Sequence, residues 1–122
     1  MRFVVRLTDG VLDDIAALYE WIVREGAPVT ARRWTQDLMR ALASLETFPR
    51  RHPMAREAAL FEQVVLRQMV HGSIRVLYVV REDEVVVLHA RHASRQDLDP
   101  ADLAGWPEDV RDGQLALVHT TV

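Results

Sequence analysis

Cysteine is absent from this 122-residue sequence, and so is lysine: all 15 basic residues are arginine. The first absence excludes disulfides, thiol nucleophiles and thiolate metal sites. The second means that every side-chain cation other than histidine keeps its charge at any working pH and can grip phosphate or carboxylate with two hydrogen bonds. Glycine is sparse, and five scattered residues build neither a phosphate-binding loop nor a dinucleotide fingerprint. Apolar runs such as Val85-Val86-Val87-Leu88 are far too short to cross a bilayer. Arg6 interrupts the opening Phe3-Val4-Val5 before a signal-peptide core forms. These absences predict a cytoplasmic protein with no membrane association and no cofactor.

Metal chemistry has little support either. His89 and His92 are three apart on an expected strand, which places them on opposite faces. His52, His71 and His119 have no partner at ligand spacing, so no metal site is expected. Ser73 and Ser94 lack the strand–turn–helix context that exposes a nucleophile.

What is present describes an ordinary globular chain, 49% apolar and 27% charged, of a length that supports one core. Its net charge of −3 is unevenly spread. Residues 96–122 hold six acids (Asp97, Asp99, Asp102, Glu108, Asp109, Asp112) against Arg111, a net of −5. Residues 1–95 carry 14 arginines against 12 acids, a net of +2. The asymmetry predicts a folded domain over residues 1–96 and an acidic C-terminal extension over 97–122.

Phe3, Val5 and Leu7 alternate with Val4 and Arg6, a short strand pattern. Thr8-Asp9-Gly10 then starts a helix whose apolar stripe is Val11, Ile15, Leu18 and Ile22, flanked by Leu12 and Tyr19 and ended by Gly26. Pro28 opens a second helix with Ala31, Trp34, Leu38, Ala41, Leu42 and Leu45 on its apolar face, stopping before Pro49. A loop from Phe48 to about Leu60 follows. Three strands are expected over Val64–Val70, Ile74–Arg81 and Glu84–Arg91, with links short enough to force an antiparallel meander. The order β-α-α-β-β-β predicts an α+β fold, a mostly antiparallel sheet with the N-terminal helical hairpin packed on one face. Leu115–Val118 reads equally as an extra strand or as a free end.

The remaining chemistry is arginine on the sheet. Arg67, Arg75 and Arg91 fall on the three successive strands and Arg95 just beyond, a pattern that suits a phosphate-gripping patch. The competing reading makes them solvated edge residues paired with Glu62, Glu82 or Asp97. His89 and His92 are candidates for acid–base work near neutral pH, or else hydrogen-bonded structural residues. Trp21 and Trp34 are expected in the helix packing. Trp106, in the acidic region, is expected to anchor the extension onto the domain or onto a partner.

The stretch Leu66-Arg67-Gln68-Met69-Val70-His71-Gly72-Ser73-Ile74-Arg75-Val76-Leu77-Tyr78-Val79-Val80, together with Val85 to Arg95 ending Ala90-Arg91-His92-Ala93-Ser94-Arg95, resembles the C-terminal half of RelE/ParE toxins. Leu7-Thr8, Asp13-Asp14-Ile15, Tyr19, Ile22, Ala31-Arg32-Arg33 and Leu45 to Pro49 resemble their N-terminal half, so the likeness covers roughly residues 1–98. It implies the toxin component of a type II toxin–antitoxin, or plasmid-stabilisation, system. A cognate antitoxin would neutralise it, with a toxin dimer inside a hetero-oligomer as one assembly. RelE-like members cut messenger RNA on the ribosome; ParE-like members poison DNA gyrase without a hydrolytic centre. Arg75 matches the nuclease strand arginine and Arg95 a second one, but the nucleases' His-Tyr ending aligns with Ala93 and Ser94, and their lysines have no counterpart. A nuclease would therefore rest on Arg75, Arg95 and His92. The departures favour the ParE-like branch, a growth-arresting gyrase inhibitor with Arg67, Arg75, Arg91 and Arg95 as contact residues. A non-toxic binding module is the third reading.

Overall fold

A computed structural model of the chain describes residues 2–60, 64–93 and 106. The first strand, β1 (Val4–Leu7), runs into helix α1 (Asp9–Arg24), which is followed by α2 (Pro28–Ala43) and three strands, β2 (Leu66–His71), β3 (Ile74–Arg81) and β4 (Glu84–His92). The four strands form one sheet in the order β1-β4-β3-β2. Two-residue links at Gly72-Ser73 and Glu82-Asp83 make β2–β3 and β3–β4 antiparallel hairpins. β1 leaves through the helices instead of a tight turn, so it can lie parallel to β4, from Val4 opposite Glu84 to Leu7 opposite Val87. The α+β architecture is the expected one.

Local chemistry explains both helix entries. Thr8 caps α1: its hydroxyl accepts from the Val11 N–H and donates to the Val87 carbonyl at 2.8 Å, tying the helix start to β4. Gly10 permits that approach, because a Cβ there would stand 3.3 Å from the Leu88 carbonyl oxygen. Gly26 ends the helix with φ 81°, a conformation that favours glycine. Pro28 occupies the first turn of α2.

The sheet has two apolar faces. On one, Ile74, Val76, Tyr78, Val85, Val87 and Met69 pack against Val11 and Ile15 of α1 and Leu38 and Leu42 of α2. On the other, Leu66, Leu77, Val79, Val86 and Leu88 are covered by Ala55, Ala58 and Trp106. Continuous apolar runs in β3 and β4, instead of strict alternation, are the signature of strands buried on both faces.

Several boundaries differ from expectation. β2 begins at Leu66, not Val64, and includes His71; β4 extends through His92. Residues 48–60 are not an open loop: they contain 3-10 turns at Pro49–Arg51 and Arg56–Leu60 and run along β2, with Ala55 N–H on the Leu66 carbonyl at 2.8 Å and Gln68 N–H on the Pro53 carbonyl at 3.0 Å. The segment thereby shields the β2 edge. Trp21 is not in the helix packing; it is 56% exposed, because its position lies off the Val11–Ile15 stripe, whereas Trp34 does pack on the core. Leu115–Val118 lies outside the described residues.

Candidate functional site

Strand parity sorts the predicted arginines onto different faces. Arg75 and Arg91 are register partners on β3 and β4, and both fall on the face bearing Leu77 and Val79. Arg67 stands opposite Tyr78, a residue of the helix-covered face. The expected single patch is therefore divided, and Arg95 lies outside the described residues.

Arg75 is buried, 3% exposed, and its two terminal nitrogens each donate to one oxygen of Glu57 at 2.7 Å; the Glu57 side chain is wholly buried. Nη1 also reaches Gln68 Oε1 at 3.2 Å. Two ions withdrawn from water hold one another in place by this forked geometry, since either alone would be strongly destabilising there. The guanidinium is thus engaged by the protein itself. The pairings considered from sequence were Glu62, Glu82 and Asp97. Glu57 was missed because it sits in a segment read as loop, although its alanine neighbours Ala55 and Ala58 are the residues that cover this face.

Arg67 works on the opposite side as a clamp. Its Nη1 donates to the carbonyls of His52 at 2.8 Å and Arg50 at 3.2 Å. Beside it the Tyr78 hydroxyl donates to the Pro49 carbonyl at 2.6 Å, and the His52 ring meets the Tyr78 ring edge-on, 6.3 Å between centroids. Burial pushes the Tyr78 phenol up to about 12, against a smaller opposing effect of the Arg67 and Arg51 charges. Burial, with the charge of Arg51, lowers the pKa of His52. Both rings are therefore held neutral at ordinary pH.

The clamped segment carries an exposed surface that periodicity could not show. Phe48 adopts left-handed backbone angles, φ 47° and ψ 52°, and is 81% exposed. It borders a cleft of about 440 Å³ with Phe3, Pro49, Arg50 and Arg51. The Arg50 guanidinium lies 5.7 Å from the Phe3 ring centre, while Arg51 reaches the Thr47 and Phe48 carbonyls and the Ser44 hydroxyl.

His89 and His92 do occupy opposite faces. His89 is buried, with Nδ1 2.8 Å from Asp14 Oδ2; the carboxylate has no proton to give, so the ring nitrogen donates. The same oxygen accepts the Ala90 N–H at 3.0 Å, a group that β1 has ended too early to pair. The Trp106 ring lies 5.8 Å from the His89 ring, tilted by 46°. His92 is exposed at the end of β4, on the opposite side from Arg75 and Arg91. Among the described residues no group of three histidine, aspartate or glutamate side chains is placed to hold a metal ion. None of their helices is long and apolar enough to cross a membrane.

Comparison with known proteins agrees with this architecture. Residues 5–97 match the family described as the ParE toxin of type II toxin–antitoxin system, parDE. A solved structure described as a chromosomal ParDE TA system from P. aeruginosa superposes with a TM-score of 0.62 at 16% identity, covering 76% of this chain and 98% of that one. None of the curated proteins matches the sequence. With the family match spanning most of its length, this chain belongs to the ParE toxin family of type II toxin–antitoxin systems.

Proposed function

We propose that the protein arrests growth in the cytoplasm by binding DNA gyrase, and that a cognate antitoxin, acting as the partner in a ParDE-like pair, neutralises it. The toxin domain is residues 1–96, with 97–122 an acidic extension. The observation that carries the reading is the state of Arg75. An in-line ribonuclease needs cationic and proton-transferring groups converging on one phosphate. Here the strand arginine is sequestered by Glu57, and His92 stands on the opposite side of the sheet. The acid–base set for RNA cleavage is not assembled among the described residues. A toxin that works by gripping a large protein needs no such set. Arg91, with Arg67 and the exposed Arg50 and Arg51 on the other side, and Arg95, which lies outside the described residues, are the contact residues of this proposal; Arg75 acts by holding the sheet face in shape.

Purified full-length protein titrated into a DNA supercoiling reaction tests the reading. Inhibition that is relieved by an antitoxin supports it. Undiminished supercoiling, together with cleavage of message on translating ribosomes, would move the protein to the nuclease branch.

A further inference from the structure

Phe48 precedes a proline, a place that favours extended backbone, yet it holds left-handed angles and leaves most of its ring in water. The turn is fixed from outside. Arg51 donates to the Thr47 and Phe48 carbonyls and to the Ser44 hydroxyl, and Arg67 donates to the Arg50 and His52 carbonyls. Those bonds hold the ring outward without covering it. Beside it lies the cleft of about 440 Å³ shared with Phe3 and Pro49, open to an anchoring apolar side chain. Arg50, Arg51 and Arg67 surround this corner, and none has a carboxylate partner among the described residues. Glu46, the acid of the neighbouring turn, pairs with Arg2. An exposed aromatic ring thus stands among three cations whose charge the described fold leaves unmatched.

We infer that this cleft is the surface by which the toxin holds its protein target, and that the target offers it an acidic segment carrying an apolar or aromatic side chain. The inference rests on the reading above, in which the protein acts by gripping a large partner. The apolar side chain enters between Phe3 and Phe48, and carboxylates meet the three arginines. Phenylalanine and arginine side by side are the composition of interface anchors. The donors decide between protein and nucleic acid. Arg51 and Arg67 spend donors on backbone carbonyls and contribute mainly charge, which leaves Arg50 as the one forked grip. A single nucleic-acid strand needs a charged groove and successive open rings, whereas Phe3 is half-buried with the Arg50 guanidinium over it. Strain decides between target and antitoxin. The toxin acts when the antitoxin has left it, and the exposed left-handed Phe48 weakens the free fold. A cost borne by the free toxin serves what the free toxin does.

The test induces the full chain and its Phe48→Gly, Arg50→Glu, Arg50→Lys and Arg33→Glu variants, reading the soluble toxin per cell at which half the viable count is lost. Far-UV circular dichroism of the purified proteins identifies the folded variants. Phe48→Gly and Arg50→Glu are each expected to need about tenfold more toxin than the parent, the effect of losing one anchor. Arg50→Lys, which keeps the charge and loses the fork, should fall between. Arg33→Glu makes the same charge change on the exposed start of α2, away from the cleft, and should match the parent. Equal potency of the folded cleft variants, or an equal loss in Arg33→Glu, overturns the inference. So does a parent that arrests nothing. Full potency with escape from a co-expressed antitoxin overturns it too, placing the antitoxin on the cleft; Phe48-dependent binding of a fluorescein-labelled single-stranded RNA 12-mer does the same in favour of nucleic acid. Should Phe48→Gly fail to fold, Arg50→Glu decides alone, its side chain being exposed. Trapped gyrase–DNA complexes in the same cells separate the two proposals. The predicted losses without such complexes leave the docking surface standing and remove gyrase as its target. Complexes that accumulate equally in every variant do the reverse.

Discussion

Arg75 and Glu57 meet through two parallel hydrogen bonds of 2.7 Å, one on each carboxylate oxygen, with both side chains hidden from water. The pair joins β3 to the segment that covers the second sheet face. Removing one partner leaves an uncompensated buried charge, so Glu57→Ala is expected to cost about 3–5 kcal/mol. Replacing both by apolar residues of similar volume, Arg75→Met with Glu57→Leu, should recover most of that loss. Urea unfolding of the single and double variants measures the difference. A Glu57→Ala protein as stable as the parent would mean that the pair is not formed in solution.

Asp14 serves the open edge of β4, where β1 has ended and α1 takes its place. One carboxylate oxygen accepts from both the Ala90 amide and the His89 ring. Asp14→Ala strands two buried donors, an expected loss of about 1–3 kcal/mol. Amide exchange should locate the damage: Ala90 loses protection while the β2–β3 pairs keep theirs. Uniform loss across the sheet, or none, would contradict the role assigned to Asp14.

Burial of the Tyr78 phenol and of the His52 ring makes stability fall at both ends of the pH scale. The phenol is raised to about 12 in the fold, so its contribution is complete below its ordinary value near 10 and is lost as pH climbs between the two. His52 is lowered, so its contribution is complete above its ordinary value of 6.5 and fades as pH falls through the depressed one. Thermal unfolding from pH 5 to 12 reads both limbs. Tyr78→Phe should lower stability by about 1–3 kcal/mol near neutrality, because the Pro49 carbonyl loses its donor, and should flatten the alkaline limb. An unchanged alkaline limb would place the titration elsewhere.

Phe48 combines left-handed backbone with 81% exposure, a conformation that costs a non-glycine residue roughly 1–2 kcal/mol and that no buried contact of the ring offsets. Phe48→Gly, which carries its own entropic penalty, should therefore still stabilise the fold by about 0.5–1 kcal/mol. Strain of this kind is retained where it serves a surface. The same variant should weaken growth arrest if the Phe3–Phe48–Arg50–Arg51 cleft takes part in binding. A destabilised Phe48→Gly protein would show that the ring packs more than its exposure implies.

Elements with strong local signals were legible from sequence. Val11, Ile15, Leu18 and Ile22 at helical spacing, Thr8 and Gly26 at the helix ends, and short links between the last three strands lead directly to the helical hairpin and the meander. The parallel pairing of β1 with β4 was not legible, because it is a long-range choice made after the helices dock. Nor was the Arg75–Glu57 pair. Alternation puts Arg75 beside Leu77 and Val79, but only the course of residues 53–60 along β2 brings a carboxylate to it. Trp21 misled for a related reason: a tryptophan in an amphipathic helix looks like core until its angular position off the stripe is compared with what the sheet can cover. The hydrogen bond of His89 was not legible either, its partner Asp14 lying 75 residues away in sequence.

Inducing the full-length chain in cells while following trapped gyrase–DNA complexes and the integrity of messenger RNA tests the central claim most directly. Action by gripping predicts that covalent complexes accumulate and messages stay whole. Messages cut at preferred positions, with gyrase untouched, would contradict it.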